Sequence, residues 1–242
     1  MKITYVYHSC FVVELTTVIL IFDYFKGDLP KLATDKNIYV FSSHKHHDHF
    51  SLKIFDWMKE YEGVTYVLSN DIRLSENYLR RQHIDPIVKE RIVFAHKNER
   101  YTIGEGINRI TVETLASTDQ GVAFIVEVEG KTIYHAGDLN WWTWIGESDI
   151  EFKNMTKRYH EEIRKIEHRY FDLAFVVLDP RQEERYWWGL DYFTRKTRTR
   201  TIIPMHCWEK YEIIQDLKKH EVAAEYKNQV MEYKKPGETI II

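Results

Sequence analysis

The run Ser43-His44-Lys45-His46-His47-Asp48-His49-Phe50 sets imidazoles and a carboxylate at H-x-H-x-D-H spacing. It follows at once on an apolar run, Ile38-Tyr39-Val40-Phe41, that reads as a buried strand. Alternate side chains of an extended segment point the same way, so His44 and His46 can hold one metal ion between them. Asp48 and His49, after the backbone turns, can face a second. Imidazole with carboxylate suits zinc, manganese or iron, whereas calcium and magnesium prefer shells of oxygen. The competing reading is a surface histidine cluster that binds metal adventitiously. The strand and helix signals on either side, in place of low-complexity sequence, speak against it.

Further polar residues close apolar runs. Asp119 lies in Ser117-Thr118-Asp119-Gln120-Gly121, Asp138 follows Gly137, Asp179-Pro180 ends Phe175–Leu178, and His206 follows Thr201-Ile202-Ile203-Pro204-Met205. In chain order, four strand ends therefore carry metal-capable groups: the histidine run, Asp119, Asp138 and His206.

The elements that must position these groups read as follows. Lys2–Tyr7, Phe11–Leu15 and Val18–Phe22 are short strands, the last two close enough to pair as a hairpin. Ser51 suits a helix N-cap, with Leu52, Phe55, Trp57 and Met58 on an apolar side before Gly63. Val64–Leu68 and Arg91–Ala95 read as strands around a polar helix, Ile72–Arg81, and three more strands fall between Ile107 and Tyr134. Met155, Tyr159, Ile163, Ile166 and Tyr170 form the stripe of an amphipathic helix. A helix through Leu217 precedes a tail, Met231–Ile242, that reads as closing strands. No linker, internal repeat or low-complexity segment interrupts the chain, so residues 1–242 are expected to form a single domain.

Bulk properties narrow the class. The 242 residues are 44% hydrophobic and 29% charged, as in ordinary globular proteins, with 16 Tyr, 12 Phe and 7 Trp as an excess that could line a pocket. A net charge of −3 supplies no field for nucleic acid or anionic membrane. Arg195, Lys196, Arg198 and Arg200 form a local basic patch that reads as a solvated face. The start of the chain alternates like a strand and lacks the features of a signal peptide, and no apolar run is long enough to span a bilayer. With only Cys10 and Cys207, no disulfide framework is implied, and a cytoplasmic location is expected.

The run H-K-H-H-D-H, the later Y-H-A-G-D containing Asp138 and the final P-M-H containing His206 resemble the metal motifs of the metallo-β-lactamase superfamily. Phe22-Asp23 matches an aspartate that buttresses the site in that superfamily, and the motifs fall in order along essentially the whole chain. The resemblance implies an αββα sandwich, two mixed sheets face to face with helices outside, and two divalent metal ions (zinc, or manganese or iron) at one edge. It assigns His44 and His46 to metal one and Asp48, His49 and His206 to metal two, with Asp138 bridging. One departure stands out: the superfamily's third histidine for metal one is missing from Ser117–Gly121. Asp119 is the available ligand there, directly or through water, and would favour a harder metal. Its alternative is a turn residue capping its own backbone.

His46 stands where di-iron relatives that reduce oxygen or nitric oxide carry a carboxylate, so the resemblance implies hydrolysis. Metal ions lower the pKa of a bound water to about 7, which makes hydroxide available as nucleophile, with Asp48 orienting it and taking its proton. The opening Tyr7-His8-Ser9-Cys10-Phe11 loosely resembles the ascorbate-phosphate lactonase-like branch, implying a small ester, lactone or phosphorylated substrate. Arg181 could clamp an anion, and Trp141, Trp142, Trp144, Tyr186, Trp187 and Trp188 could wall the pocket or pack the core. His8, His47 and His135 read as supporting or packing residues, and Cys207 as a small buried one. The alternatives are a phosphodiesterase or nuclease of the same fold and a non-catalytic metal-binding protein. The oligomeric state is not legible.

Overall fold

In the computed structural model, which describes residues 1–242, the first half of the chain contributes β1 (Lys2–Tyr7), β2 (Cys10–Glu14), β3 (Val18–Phe22), β4 (Asn37–Ser42), β5 (Val64–Ser69), α1 (Glu76–Arg81), β6 (Ile92–Ala95), β7 (Arg100–Ile103), β8 (Ile110–Ala116) and β9 (Val122–Val128). The second half adds β10 (Lys131–His135), α2 (Asp149–Arg164), β11 (Tyr170–Phe171), β12 (Leu173–Val177), α3 (Trp188–Lys196), β13 (Arg198–Thr199), β14 (Ile202–Met205), α4 (Glu212–Lys219) and β15 (Thr239–Ile241). One seven-stranded sheet runs β15-β1-β2-β3-β4-β5-β6 and a six-stranded sheet runs β14-β12-β10-β9-β8-β7. Helices flank both, giving an αββα sandwich. No helix is long and apolar enough to cross a membrane.

Period-two alternation explains which faces meet. Phe11, Val13, Leu20, Phe22, Tyr39 and Phe41 turn into the larger apolar cluster between the sheets, where Phe11 stacks on Phe175 at 4.4 Å and Phe41 meets Phe124 at 5.2 Å. Their neighbours Val12, Ile19, Ile21, Ile38 and Val40 join a second cluster on the outer face with Ile54, Phe55 and Leu79. The central strands are thus buried on both sides, and β3, β4, β5 and β6 pair in parallel, which is why they read as continuous apolar runs. Tyr159 and Ile163 of α2 and Leu190 and Phe193 of α3 belong to the larger cluster, closing the other side of the sandwich.

Several boundaries differ from the sequence expectation. Leu52–Lys59 winds as 3₁₀ turns instead of an α-helix. Its apolar residues fall at Leu52, Phe55 and Met58 and at Ile54 and Trp57, a three-residue repeat that a 3₁₀ winding aligns. The helix expected over Ile72–Arg81 begins only at Glu76, capped by the Ser75 hydroxyl, because Ile72 and Leu74 are anchored in the core ahead of it. The stripe from Met155 holds through Ile163, but α2 ends at Arg164, and Tyr170 lies in β11. The tail supplies one short strand, β15, antiparallel to β1. Half of the basic patch is paired, with Arg195 on Asp191 and Glu225 and Lys196 on Glu167, while Arg198 and Arg200 make no ion pair.

Candidate metal centre

The ends of β1, β3, β4, β10, β12 and β14 open onto one edge of the sandwich. There the backbone is held close: a Cβ on Gly121 would run into the Ser43 carbonyl oxygen, and one on Gly137 would meet the Ser43 side chain at 2.6 Å. Both glycines also have positive φ, so two loops can press on the start of the histidine run. The Ser43 carbonyl accepts the Val122 N–H at 2.9 Å, tying the run to the second sheet.

Two groups of donor atoms converge at this edge. One comprises His44, His46 and Asp138, the other His8, Asp48, His49 and His206. Asp138 lies between them. Its Oδ2 is 3.4 Å from His44 Nε2, while its Oδ1 is 3.2 Å from His49 Nε2 and 3.5 Å from His206 Nε2. Its two oxygens thus face different groups, the geometry by which one carboxylate spans two cations. His44 Nε2 and His46 Nδ1 are 3.0 Å apart, two ring nitrogens aimed at a common point.

The outer nitrogens of His49 and His206 are held by carboxylates. His49 Nδ1 lies 2.7 Å from Asp23 Oδ2, and His206 Nδ1 lies 2.8 Å from Asp179 Oδ2. Asp23 also accepts from the Ser43 hydroxyl and backbone N–H, both at 2.7 Å, and the Ser43 oxygen lies 2.9 Å from His44 Nδ1. Such contacts place the ring proton on the outer nitrogen and leave the inner lone pair for a metal. The buried atoms His8 Nε2, His49 Nε2, His206 Nε2 and Asp138 Oδ1 have no hydrogen-bond partner. Orphaned buried donors and acceptors cost free energy unless something ligates them, so the residues fit a bound cation.

Electrostatics records the negative charge gathered at this edge. Burial opposes ionisation of Asp23 and Asp179, but His135 and His49 around the first, and His206 and Arg181 around the second, hold both down at about 2. Burial disfavours charge on His49, yet Asp138, Asp23 and Asp48 outweigh it and raise the ring to about 9. Burial and the neighbouring His49 lower His44 to about 4. Carboxylates gathered this densely create a field for cations.

The other expected residues divide. Asp119 sits at the rim, 3.7 Å from His46 Nδ1 and half exposed, outside both donor groups. A cavity of about 390 Å³ opens over the centre, lined by His46, Asp48, Asp119, Asp138, Arg181 and His206 and walled by Trp142, Trp144 and Met155. Arg181 is half exposed there, with its guanidinium already paired to Asp179 and 4.6 Å from the Trp208 ring. Trp141 and Tyr186 do not line this cavity. The Trp141 ring turns the other way, donating to Thr156 at 3.0 Å and packing on His160 and Trp188 between α2 and α3, and Tyr186 packs against the core.

Sequence reasoning set His8 among the supporting residues and gave Asp179 no part in the site. Asp179 carried one signal, a carboxylate closing a buried parallel strand. His8 occupies the two-residue turn between β1 and β2 at φ 55°, a conformation it shares at this edge with Asp23 (46°) and His206 (67°). Left-handed non-glycine residues cost about 1 kcal/mol or more and gather at functional sites.

Residues 2–143 match the model of a family described as a beta-lactamase superfamily domain. The chain belongs to this superfamily. It is a metallo-β-lactamase-fold hydrolase whose two donor groups suit a binuclear divalent-metal centre. No curated protein matches it. Among solved structures, the superfamily member is similar to the metallo hydrolase Igni18 of the archaeon Ignicoccus hospitalis, with 18% identity, a TM-score of 0.65 and coverage of 99% of this chain and 97% of that one. It is also similar to an isothiocyanate hydrolase from Delia radicum gut bacteria, at 12% identity, a TM-score of 0.55 and coverage of 100% and 99%. CmlA, a diiron β-hydroxylase from Streptomyces venezuelae, aligns over 85% of this chain and 44% of its own, with a TM-score of 0.53 and 12% identity. These likenesses are of fold.

Proposed function

We propose that the centre hydrolyses a small ester, lactone or phosphorylated substrate that carries a negative charge beside an apolar or aromatic group. The observation that carries this reading is the composition of the cavity: metal-donor residues on its floor, the Trp142 and Trp144 rings stacked in parallel at 6.0 Å on its wall, and the Arg181 guanidinium at its edge. When bound, two divalent cations would supply Lewis acidity and a water acidified to near neutrality. His44 and His46 would hold one cation, Asp48, His49 and His206 the other, and Asp138 both.

Asp48 then has the role of proton acceptor. It faces the cavity, is partly exposed, and its Oδ2 is 3.9 Å from His49 Nε2 and 3.6 Å from His8 Nε2. Trp142 is held by its own indole N–H, which donates to the Asp138 carbonyl at 2.9 Å, so the wall and the bridging carboxylate form one rigid unit. That coupling fixes the distance between an apolar substrate group and the reacting bond. Arg181 shares its charge with Asp179, which leaves it suited to orient an anion more than to bind one tightly.

His46, where a carboxylate would favour di-iron oxygen chemistry, supports hydrolysis. The turn Tyr7–Phe11 supports a loose kinship with ascorbate-phosphate lactonase-like hydrolases, and the imidazole-rich donor set supports zinc or manganese. The test is to screen zinc- and manganese-loaded protein against p-nitrophenyl esters, lactones, phosphomonoesters, phosphodiesters and β-lactams. Turnover of anionic esters or lactones is expected. Activity confined to phosphodiesters, with salt-dependent binding of nucleic acid, would replace this reading with a nuclease, and inactivity throughout with tight metal binding would replace it with a non-catalytic protein.

A further inference from the structure

The two donor groups are unequal. His44, His46 and Asp138 make a three-residue group in which the His46 side chain is 35% exposed, and Asp119 stands off at the rim. The other group has four members, and three of them, His8, His49 and His206, are essentially buried. The difference is His8.

Four observations fix where that imidazole is aimed. Its Nε2 is 3.6 Å from Asp48 Oδ2. Its ring centroid is 4.0 Å from that of His206 and 5.6 Å from that of His49. The nitrogen is buried and has no hydrogen-bond partner, like the Nε2 atoms of His49 and His206 beside it. The backbone is built to hold it: the His8 N–H donates to the Tyr5 hydroxyl at 2.9 Å, and the His8 carbonyl accepts from His206 N–H at 3.4 Å. A turn position that favours glycine is instead spent on an imidazole.

We infer that His8 is a metal ligand, and that with Asp48, His49, His206 and the near oxygen of Asp138 it closes a five-donor shell around one cation, which is held far more tightly than its partner at His44, His46 and the other oxygen of Asp138. Sites filled by protein donors retain their ions, whereas sites with open positions exchange them and meet substrate. The cation at His44 and His46 would therefore be the labile one, beside the cavity that His46 lines with Thr118 and Asp119. The assignment rests on the binuclear reading of the centre. It moves the permanent metal to the side where the chain adds a histidine and the exchangeable metal to the side where the superfamily's third histidine is missing.

The experiment titrates metal-loaded full-length protein with a graded chelator, counting zinc per chain by elemental analysis, and records the visible spectrum after one equivalent of cobalt(II). Wild-type protein is expected to lose one ion readily and to keep the other, with the weaker d–d bands of a five-coordinate cobalt site. His8→Gly suits the left-handed turn and removes only the imidazole. It is expected to hold the first equivalent at least 10-fold more weakly, to show the more intense bands of a four-coordinate site, and to recover the wild-type spectrum with added imidazole. The thermal melt of metal-free His8→Gly should match that of metal-free wild type, and His83→Gly, at an exposed left-handed position (φ 58°) outside both donor groups, should leave the first equivalent unchanged. A first equivalent bound by His8→Gly as tightly as by wild type, with unchanged bands, would overturn the assignment alone. Wild-type protein that retains no metal would overturn the binuclear centre itself.

Discussion

Asp23 Oδ2 lies 2.7 Å from His49 Nδ1, and the same carboxylate takes the hydroxyl proton of Ser43, whose oxygen lies against His44 Nδ1. One buried aspartate thus fixes a ring in each donor group. Asp179 performs the matching task for His206 alone, at 2.8 Å.

These two carboxylates are expected to differ when neutralised. Asp23→Asn should weaken both metal equivalents by about 10–100-fold, the usual cost of losing a partner that orients a ligand, whereas Asp179→Asn should weaken one. Competition with a chromophoric chelator measures each step. Equal effects of the two variants on both steps would show that the relay through Ser43 carries no orientation.

Asp138 is the one carboxylate shared by both groups. Asp138→Ala should lower kcat/KM on any ester or lactone found by screening by on the order of 10²–10³-fold, and His46→Ala should do likewise, while circular dichroism stays that of the wild type. Retention of most activity by either variant would reject a two-metal reaction.

Asp119 tests the labile side. Its distance from His46 and its exposure suit a water-mediated contact, so Asp119→Ala should weaken the second equivalent several-fold and leave the first untouched. Two equivalents bound with wild-type affinity would reduce Asp119 to a turn residue whose own N–H is taken by the Ser117 hydroxyl.

Gly121 tests the scaffold apart from the chemistry. Gly121→Ala places a methyl group against the Ser43 carbonyl at a positive φ, so it should destabilise the fold by about 2 kcal/mol or more, read as a lower urea midpoint of the metal-free protein. A midpoint within error of wild type would mean that the histidine loop tolerates displacement from the second sheet.

The cavity wall offers a test of specificity. Trp144→Ala, at an exposed position, should raise KM for substrates with an aromatic or apolar group and change kcat little, whereas Trp141→Ala, packed between helices, should lower stability and leave KM alone. Kinetics and thermal melts of both variants separate the two roles. The converse pattern would place the substrate on the other face of this loop.

The strands were legible because their evidence is local, whereas the sandwich they build followed only from the resemblance of the motifs to the metallo-β-lactamase superfamily. Apolar runs such as Val18–Phe22 and Ile38–Phe41 need only be read for length and composition, and H-x-H-x-D-H lies within one loop whose spacing already implies a shared cation. Positions without a period were harder. Trp141 and Trp142 are adjacent in a loop with no helical or strand repeat, and only packing turns one toward α2 and α3 and the other toward the cavity.

Sequence by itself determined the strands and the aspartates and histidines at their ends, and, through the resemblance those motifs carry, the layer architecture and the absence of a third imidazole near Asp119. Tertiary structure alone decided that His8 and Asp179 join them. His8 reaches the centre because the β1–β2 turn takes a left-handed conformation against His206, and Asp179 because β12 and β14 run parallel and end side by side. Both are contacts between residues far apart in the chain. Their physical cause is the pairing of strands, which no spacing of residues along a single segment encodes.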